Sequence, residues 1–356
     1  MRHRTKLLIG VLGLCAAGLW FARELDLQMD RPAASTVPVR IGIKPGEPLR
    51  SILLHLQRLG AMPHARMVEW DLRLHRQRPR VQAGTYEIAP HASARAVLEQ
   101  FVAGRVVLEQ LTIVEGWTFA QLRQALDAQP DLVHEMGALS DVQLMRALGH
   151  EGQAAEGQFF PDTYRFAAGT SDRRILELAY ERMQHELVQA WAQRAEALPL
   201  SDPEQALILA SIIEKETGRE DERAKVAAVF VNRLNHGMRL QSDPTVIYGL
   251  GSSYDGDIHT RDLVTDTPYN TYTRPGLPPT PIALPGAASL QAALHPAASD
   301  ALYFVATDNG DGSHQFSATL AEHDVALRAY LHRLGVPARA HPQTSPAPPA
   351  SGQGSR

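Results

Sequence analysis

The sequence lacks the raw materials for several chemistries. It has one cysteine, Cys15, so no internal disulfide can form, and a lone thiol does not fix the compartment. It lacks an excess of positive charge. Lys and Arg number 35 against 39 Asp and Glu, a net charge of −4, which gives no broad basic field for nucleic acid. The 15 histidines show no His-x-x-x-His spacing on the core helices, so neither a metal nor another cofactor is expected. The N-terminal uncharged run, residues 7–22, is 16 residues long, short of the roughly 20 that a spanning helix prefers.

What is present is an ordinary globular composition, 44% hydrophobic and 21% charged, in 356 residues, enough for one large domain or two ordinary ones. Arg2, Arg4 and Lys6 precede the uncharged run and Arg23-Glu24 closes it, a charge pattern for an N-terminus inside. Trp20 and Phe21 at its exit suit a membrane interface. No small-x-small cleavage site follows directly, and Leu14 is bulky for a lipoprotein site at Cys15. An uncleaved anchor over 7–22 is therefore favoured, with 1–6 cytoplasmic; a cleaved signal peptide is the rival reading. Residues 23–38 read as a polar Pro/Ala-rich linker.

Hydrophobic periodicity predicts a strand at 39–43, a Pro-Gly turn, helices at 49–59 and 65–75, a strand at 81–88 and a helix at 93–103. The strand, turn and helix at its start resemble the first half of a LysM module, a small glycan-binding fold. The second half departs from that pattern, so no groove residues carry over. A strand at 105–114 and a helix capped by Thr118 repeat the plan. Helices are expected at 131–148, 172–197, 220–236, 290–294 and 320–334, with a buried strand at 302–306 and a returning strand at 314–316. Residues 238–285 carry few helical patterns but many Pro, Gly, Thr and Tyr; loops this long inside a domain are usually functional or disordered, and aromatics argue against disorder.

The segment ALILASIIEKETG, residues 206–218, organises the rest. Asp202 is a natural N-cap, Pro203 fits the first helical position, Gln205 completes a capping-box pattern and Gly218 supplies a stop. At about 100° per residue, Leu207, Ala210, Ser211 and Thr217 share a side with Glu214, and Glu216 points the other way. Apolar neighbours and the negative end of the helix would both raise the pKa of Glu214, which suits a general acid. The plainer reading is that Glu214 ends a buried helix and reaches water. Glu216 reads most simply as an ion pair with Lys215, Arg219 or another surface group.

SIIEKETG, VAAVFVNRLNHGMRLQSDPTVIYGL, YNTYTRPGLPPTPIALPG and LHPAASDALYFVA resemble the endolytic murein transglycosylases of the MltG/YceG family. EGWT at 115–118 and EGQFFPDTYRF at 156–166 match the same family, in order, from about residue 39 to 335. The resemblance implies a lytic transglycosylase that breaks the β-1,4 bond from N-acetylmuramic acid to N-acetylglucosamine and leaves a 1,6-anhydro end. It places the catalytic glutamate at Glu214. It implies peptidoglycan strands as substrate, the inner membrane and peptidoglycan synthases as neighbours, and a periplasmic body. The expected fold class is α+β: an anchor, a small LysM-like subdomain at 39–103, a mainly helical catalytic domain with a short sheet at 104–335, and a disordered tail at 336–356.

Around Glu214, Asn232, Gln241 or a tyrosine hydroxyl would stabilise the oxocarbenium-like transition state. Tyr248, Tyr269 and Tyr272 are candidates to stack on sugar faces, although each also reads as a structural aromatic. Asn270 and Gln241 would line a glycan groove. Arg233 would pair with a lactyl or peptide-stem carboxylate, or make a surface salt bridge. Asp243 is an N-cap for the following helix, a cleft carboxylate, or both. Two other functions remain open: a membrane-anchored glycan-binding scaffold without catalysis, and a muramidase that hydrolyses with water.

Overall fold

A 28-residue helix, α1 (Arg2–Met29), opens the chain. The computed structural model describes residues 2–44, 46–307 and 309–333, with side chains from residue 9 on. The expected tail lies outside them. Among the described residues no helix is long and apolar enough to cross a membrane. The run expected to span is the exposed front of α1, where Leu14, Leu19 and Trp20 are 76%, 74% and 68% exposed. The expected linker is different in the structure: α1 runs on to Met29, and Leu25, Met29 and Ala33 are buried. The polar residues misled because they form the outer face of a docked helix, with Asp26 and Asp30 both bonded to Arg95.

The chain divides into two compact units. The first runs to Leu111 and adds Gln129–His134 and Arg165–Asp172. It holds β1 (Val39–Ile43), α2 (Leu49–Arg58), α3 (Ala65–Leu74), β2 (Gly84–Ile88) and α4 (Ala94–Val102). Strands β1 and β2 pair antiparallel, with Ile41 opposite Tyr86. Alternation puts Ile41 and Ile43 on the same side as Tyr86 and Ile88, where they close a core with Leu56, Val68 and Phe101. Strand β3 (Leu108–Thr112) pairs with β4 (Thr163–Ala167) in a second two-stranded sheet.

The second unit is mainly helical: α5 (Phe119–Asp127), α6 (Asp141–Ala147), α7 (Asp172–Ala192), α8 (Pro203–Glu216), α9 (Glu220–Asn235), α10 (Asp243–Leu250), α11 (Thr260–Val264), α12 (Ala287–Leu294) and α13 (Leu320–Arg333). A hairpin of β5 (Tyr303–Ala306) and β6 (His314–Ser317) completes it. The α+β class holds. Helix α6 is much shorter than the 131–148 expected, because residue 133 bridges to Ser171 instead of coiling. Strand β5 is half-buried along its length, where a buried strand was expected, because among the described residues it pairs in a sheet with β6 alone. The Pro- and Tyr-rich stretch contains α10 and α11.

Helix α8 lies at the centre of this unit. Residues 206–213 are all buried, and the helix packs on α9, α10 and α12. Asp202 caps it by accepting from the Gln205 N–H at 3.0 Å, with Pro203 at the start. The Gln205 side chain reaches back to the N–H of Ser201, one residue beyond the N-cap. The helix stops at Glu216 with Thr217 in extended geometry as C-cap, so Gly218 is not the stop that the sequence suggested.

Candidate active site

Two side chains on one face of α8 hold the segment that follows Thr280. Ser211 accepts from the N–H of Ile282 at 3.0 Å while its own hydroxyl donates to the carbonyl of Ile208. One turn later, Glu214 Oε2 accepts from the N–H of Gly286 at 3.0 Å. The helical spacing of residues 211 and 214 thus puts two acceptors in line along one strand of loop.

The turn at 115–118 lies against the same segment. The N–H of Gly116 donates to the carbonyl of Leu284 at 2.8 Å, and the N–H of Leu284 donates to the carbonyl of Trp117 at 2.7 Å. Gly116 takes φ +76, a left-handed turn that glycine adopts without strain, and a side chain there would contact Glu214 Cγ. Lys215 Nζ donates to the Gly116 carbonyl at 3.2 Å. Thr118 then caps α5 with a full capping box to Gln121.

Glu214 is 6% exposed in its side chain, and Arg223 of α9, 13% exposed, stands 3.7 Å away. Among the described residues the Nε of Arg223 has no hydrogen-bond partner. Glu115 is exposed, but its carboxylate turns in against Gly286, so close that a Cβ at Gly286 would collide with it. Burial and the neighbouring Glu214 push the Glu115 carboxyl above the usual range, with Arg223 pulling it back.

Glu216 does leave α8 on the far side. Its expected ion pairing is replaced by a hydroxyl: Ser242 Oγ donates to Glu216 Oε1 at 2.5 Å. Burial pushes the Glu216 carboxyl up to about 7, opposed by the Ser242 bond, helped by Asp243 and opposed by Arg233. Asp243 is not the N-cap that its sequence context suggested. Ser242 holds that position, and Asp243, the first residue of α10, accepts from the Tyr272 hydroxyl at 2.6 Å. Burial, and next the Asp243 carboxylate, make the Tyr272 hydroxyl a far weaker acid.

A second buried carboxylate is that of Glu156. This buried residue accepts from the N–H of Phe119 at 2.9 Å, at the start of α5, and from the Tyr248 hydroxyl at 3.1 Å. Burial pushes its carboxyl up to about 7 against these bonds. Tyr248 packs edge-on against Tyr269, whose hydroxyl pairs with Thr280 Oγ1 at 2.8 Å, just before the segment held by α8.

The remaining candidates are engaged by backbone. Asn232 Nδ2 donates to the carbonyls of Ser299 and Ala301. Arg233, buried, donates to the carbonyls of Leu302 at 2.7 Å and Leu240 at 2.6 Å and lies over the Tyr303 ring. Asn270, 1% exposed, donates to the carbonyls of Asp262, Leu263 and Thr265. Gln241 sits at φ +51 with its N–H on the Thr271 carbonyl. Sequence reasoning missed Glu115, Glu156, Arg223 and Gly286. Glu115 and Glu156 each open one of the short motifs quoted above, the available signal. Gly286 closes another of those motifs, and Arg223 lies outside all of them, because its importance is a matter of approach in space.

The family model described as YceG-like family matches residues 41–329. The chain is 32% identical over 267 residues to the endolytic murein transglycosylase of Bacillus subtilis strain 168, covering 70% of this chain and 73% of that protein. It is 27% identical over 348 residues to the endolytic murein transglycosylase of Streptococcus pneumoniae D39, covering 88% of this chain and 62% of that longer protein. The crystal structure of a yceG-like protein from Listeria monocytogenes superposes with a TM-score of 0.52 at 29% identity, over 82% of this chain and 99% of that one. With a family model across most of its length and a relative above 30% identity over more than two thirds of it, the chain belongs to the YceG-like family.

Proposed function

We propose that this chain is an endolytic lytic transglycosylase of peptidoglycan with Glu214 as its acid. The observation that carries the reading is the corner at Gly286. There an almost fully buried carboxylate on a rigid central helix meets a fixed N–H, a guanidinium and a second carboxylate. The relatives named as murein transglycosylases supply the substrate class.

The chemistry needs one proton moved twice. Glu214 protonates the oxygen leaving from the muramic acid C1. The C6 hydroxyl of the same sugar attacks C1 and gives its proton to the Glu214 carboxylate, which restores the acid. No water is consumed, so the new end is a 1,6-anhydro ring. A hydrolase needs a second carboxylate to direct water or attack the sugar. Since Glu115 is such a group by position, product identity and not carboxylate count separates the two. Mass spectrometry of digested glycan tests this: anhydro ends support the lytic reading, reducing ends a muramidase, and no cleavage a scaffold.

Tyr248 and Tyr269 are the aromatics best placed to meet sugar, since they pack beside the segment that α8 holds. Tyr272, Asp243 and Gln241 form a second candidate contact on the Glu216 side. Asn232, Arg233 and Asn270 act by shaping the loops they hold.

Residues 39–103 are proposed as a LysM-like glycan-binding subdomain; its support is the antiparallel β1–β2 pair with α2 and α3 between the strands. The apolar front of α1 is proposed to hold the chain at the inner membrane, with the body in the periplasm beside peptidoglycan synthases. Its support is the run of exposed apolar side chains behind Arg2, Arg4 and Lys6. Release into the soluble fraction on deleting residues 1–22 tests the attachment.

A further inference from the structure

The first unit turns one amphipathic face to solvent. Helix α3 buries Ala65, Val68 and Leu72 and points its other side outward, with Trp70 and Leu74, one turn apart, 57% and 54% exposed. Arg66 and Arg73 lie on the same outer side, and the Arg73 guanidinium stands 5.8 Å from the centre of the Trp70 ring. The chain leaving the helix adds Arg76, Arg78 and Arg80, all exposed. Residues 66–80 thus hold five arginines against Glu69 and the buried Asp71, in a chain whose net charge is −4. Arg73 pairs with Glu69. Among the described residues no ion pair engages Arg66, Arg76, Arg78 or Arg80. Two exposed apolar side chains set among unpaired arginines fit a surface that is anionic on top and apolar beneath.

Placement says what meets that face. Among the described side chains of α1 the buried ones are Leu25, Gln28 and Met29, all in its last two turns, and α3 packs on α1. From Ala22, where the apolar run ends, to Met29 is about 10 Å of helix. With the run in a bilayer, α3 is tied close beside the headgroups. We propose that the outer face of α3 and the arginines that follow it form a second membrane contact, which takes anionic phospholipid: Trp70 and Leu74 enter the headgroup boundary, and Arg66, Arg76, Arg78 and Arg80 meet the phosphates. This inference rests on the reading of the front of α1 as the membrane anchor and extends it. The apolar run is 16 residues, short of a full span, so α1 by itself holds the chain weakly. One helix also leaves the unit free to turn about the helix axis, and a second contact removes that freedom. Each arginine beside an anionic surface strengthens the hold about fivefold, an effect that high salt screens.

The test uses the full-length protein in nanodiscs of phosphatidylcholine, with and without phosphatidylglycerol. A nitroxide on Cys15, the single native cysteine and an exposed one, reports the anchor. A nitroxide on Leu74→Cys in a Cys15→Ser chain reports the face of α3. Adding phosphatidylglycerol should shield the label at 74 from a water-soluble nickel relaxant by about threefold or more. The shielding should vanish in high salt, and when Arg76→Gln, Arg78→Gln and Arg80→Gln are combined. Equal access in the two kinds of disc overturns the proposal. So does shielding that comes only from glycan strands added to the protein in detergent. The two readings fail separately. If the label on Cys15 stays in water in both discs, the anchor is wrong and this contact falls with it. If that label lies in lipid while the one at 74 stays in water, only the α3 contact is wrong.

Discussion

The two glutamates that end α8 sit two residues apart and live in different chemistry. Glu214 faces a backbone N–H, a guanidinium and another carboxylate. Glu216, about 200° round the helix, faces the Ser242 hydroxyl, with Asp243, Tyr272 and Arg233 close by. Ranking acids by how far burial raises them selects Glu216 and Glu156, both near 7. The proposed acid, Glu214, is distinguished instead by a backbone N–H, a guanidinium and a second carboxylate meeting at its carboxylate. The lesson is that a raised carboxyl in a core is often a tie between loops, and a site needs neighbours that respond when the proton moves.

The largest expected effect breaks that comparison directly. Glu214→Gln lowers kcat by about a thousandfold, while Glu216→Gln lowers it by about tenfold at most, in assays on isolated glycan strands. The reverse order would move the acid by two residues.

Stability against pH sharpens the contrast next. Burial holds the folded Glu216 carboxyl at about 7, above the usual 4.5. It therefore contributes stability that is complete below 4.5 and is lost as pH rises through about 7. Glu216→Gln removes this loss. In urea titrations the stability of the variant relative to wild type should rise between pH 4.5 and 8 by up to about 3 kcal/mol. Glu156→Gln should show the same sign over the same window, since its carboxyl is raised equally.

A third expectation separates shaping from contact. Asn270→Ala leaves three backbone carbonyls without their shared donor and should cost about 2 kcal/mol, read as a fall in Tm. The smallest effect is at the corner itself. Gly286 has φ −79, which alanine accepts, but a Cβ there displaces the exposed Glu115 carboxylate. Gly286→Ala should slow cleavage about fivefold, near 1 kcal/mol, with Tm changed by no more than about a degree.

Much of this was legible in the sequence, for reasons that name its limits. The start of α8 was readable because Asp202-Pro203 is a local signal, and Ser211 fell on the face of Glu214 because helical spacing is arithmetic. Thr118 announced α5 in the same way. Helix α6 was overdrawn because periodicity cannot see that residue 133 bridges to Ser171. Glu115 and Arg223 were missed because their roles depend on loops and helices far apart in the chain meeting at Gly286. Asp243 lost the N-cap to Ser242 by one residue, a shift that only the backbone geometry decides.

The most direct test of the central claim is to cut glycan strands in water enriched in heavy oxygen and to read the new muramic acid ends by mass spectrometry. The wild type should give unlabelled anhydro ends, and Glu214→Gln no new ends. Label built into the new ends, or undiminished cutting by the variant, would contradict it.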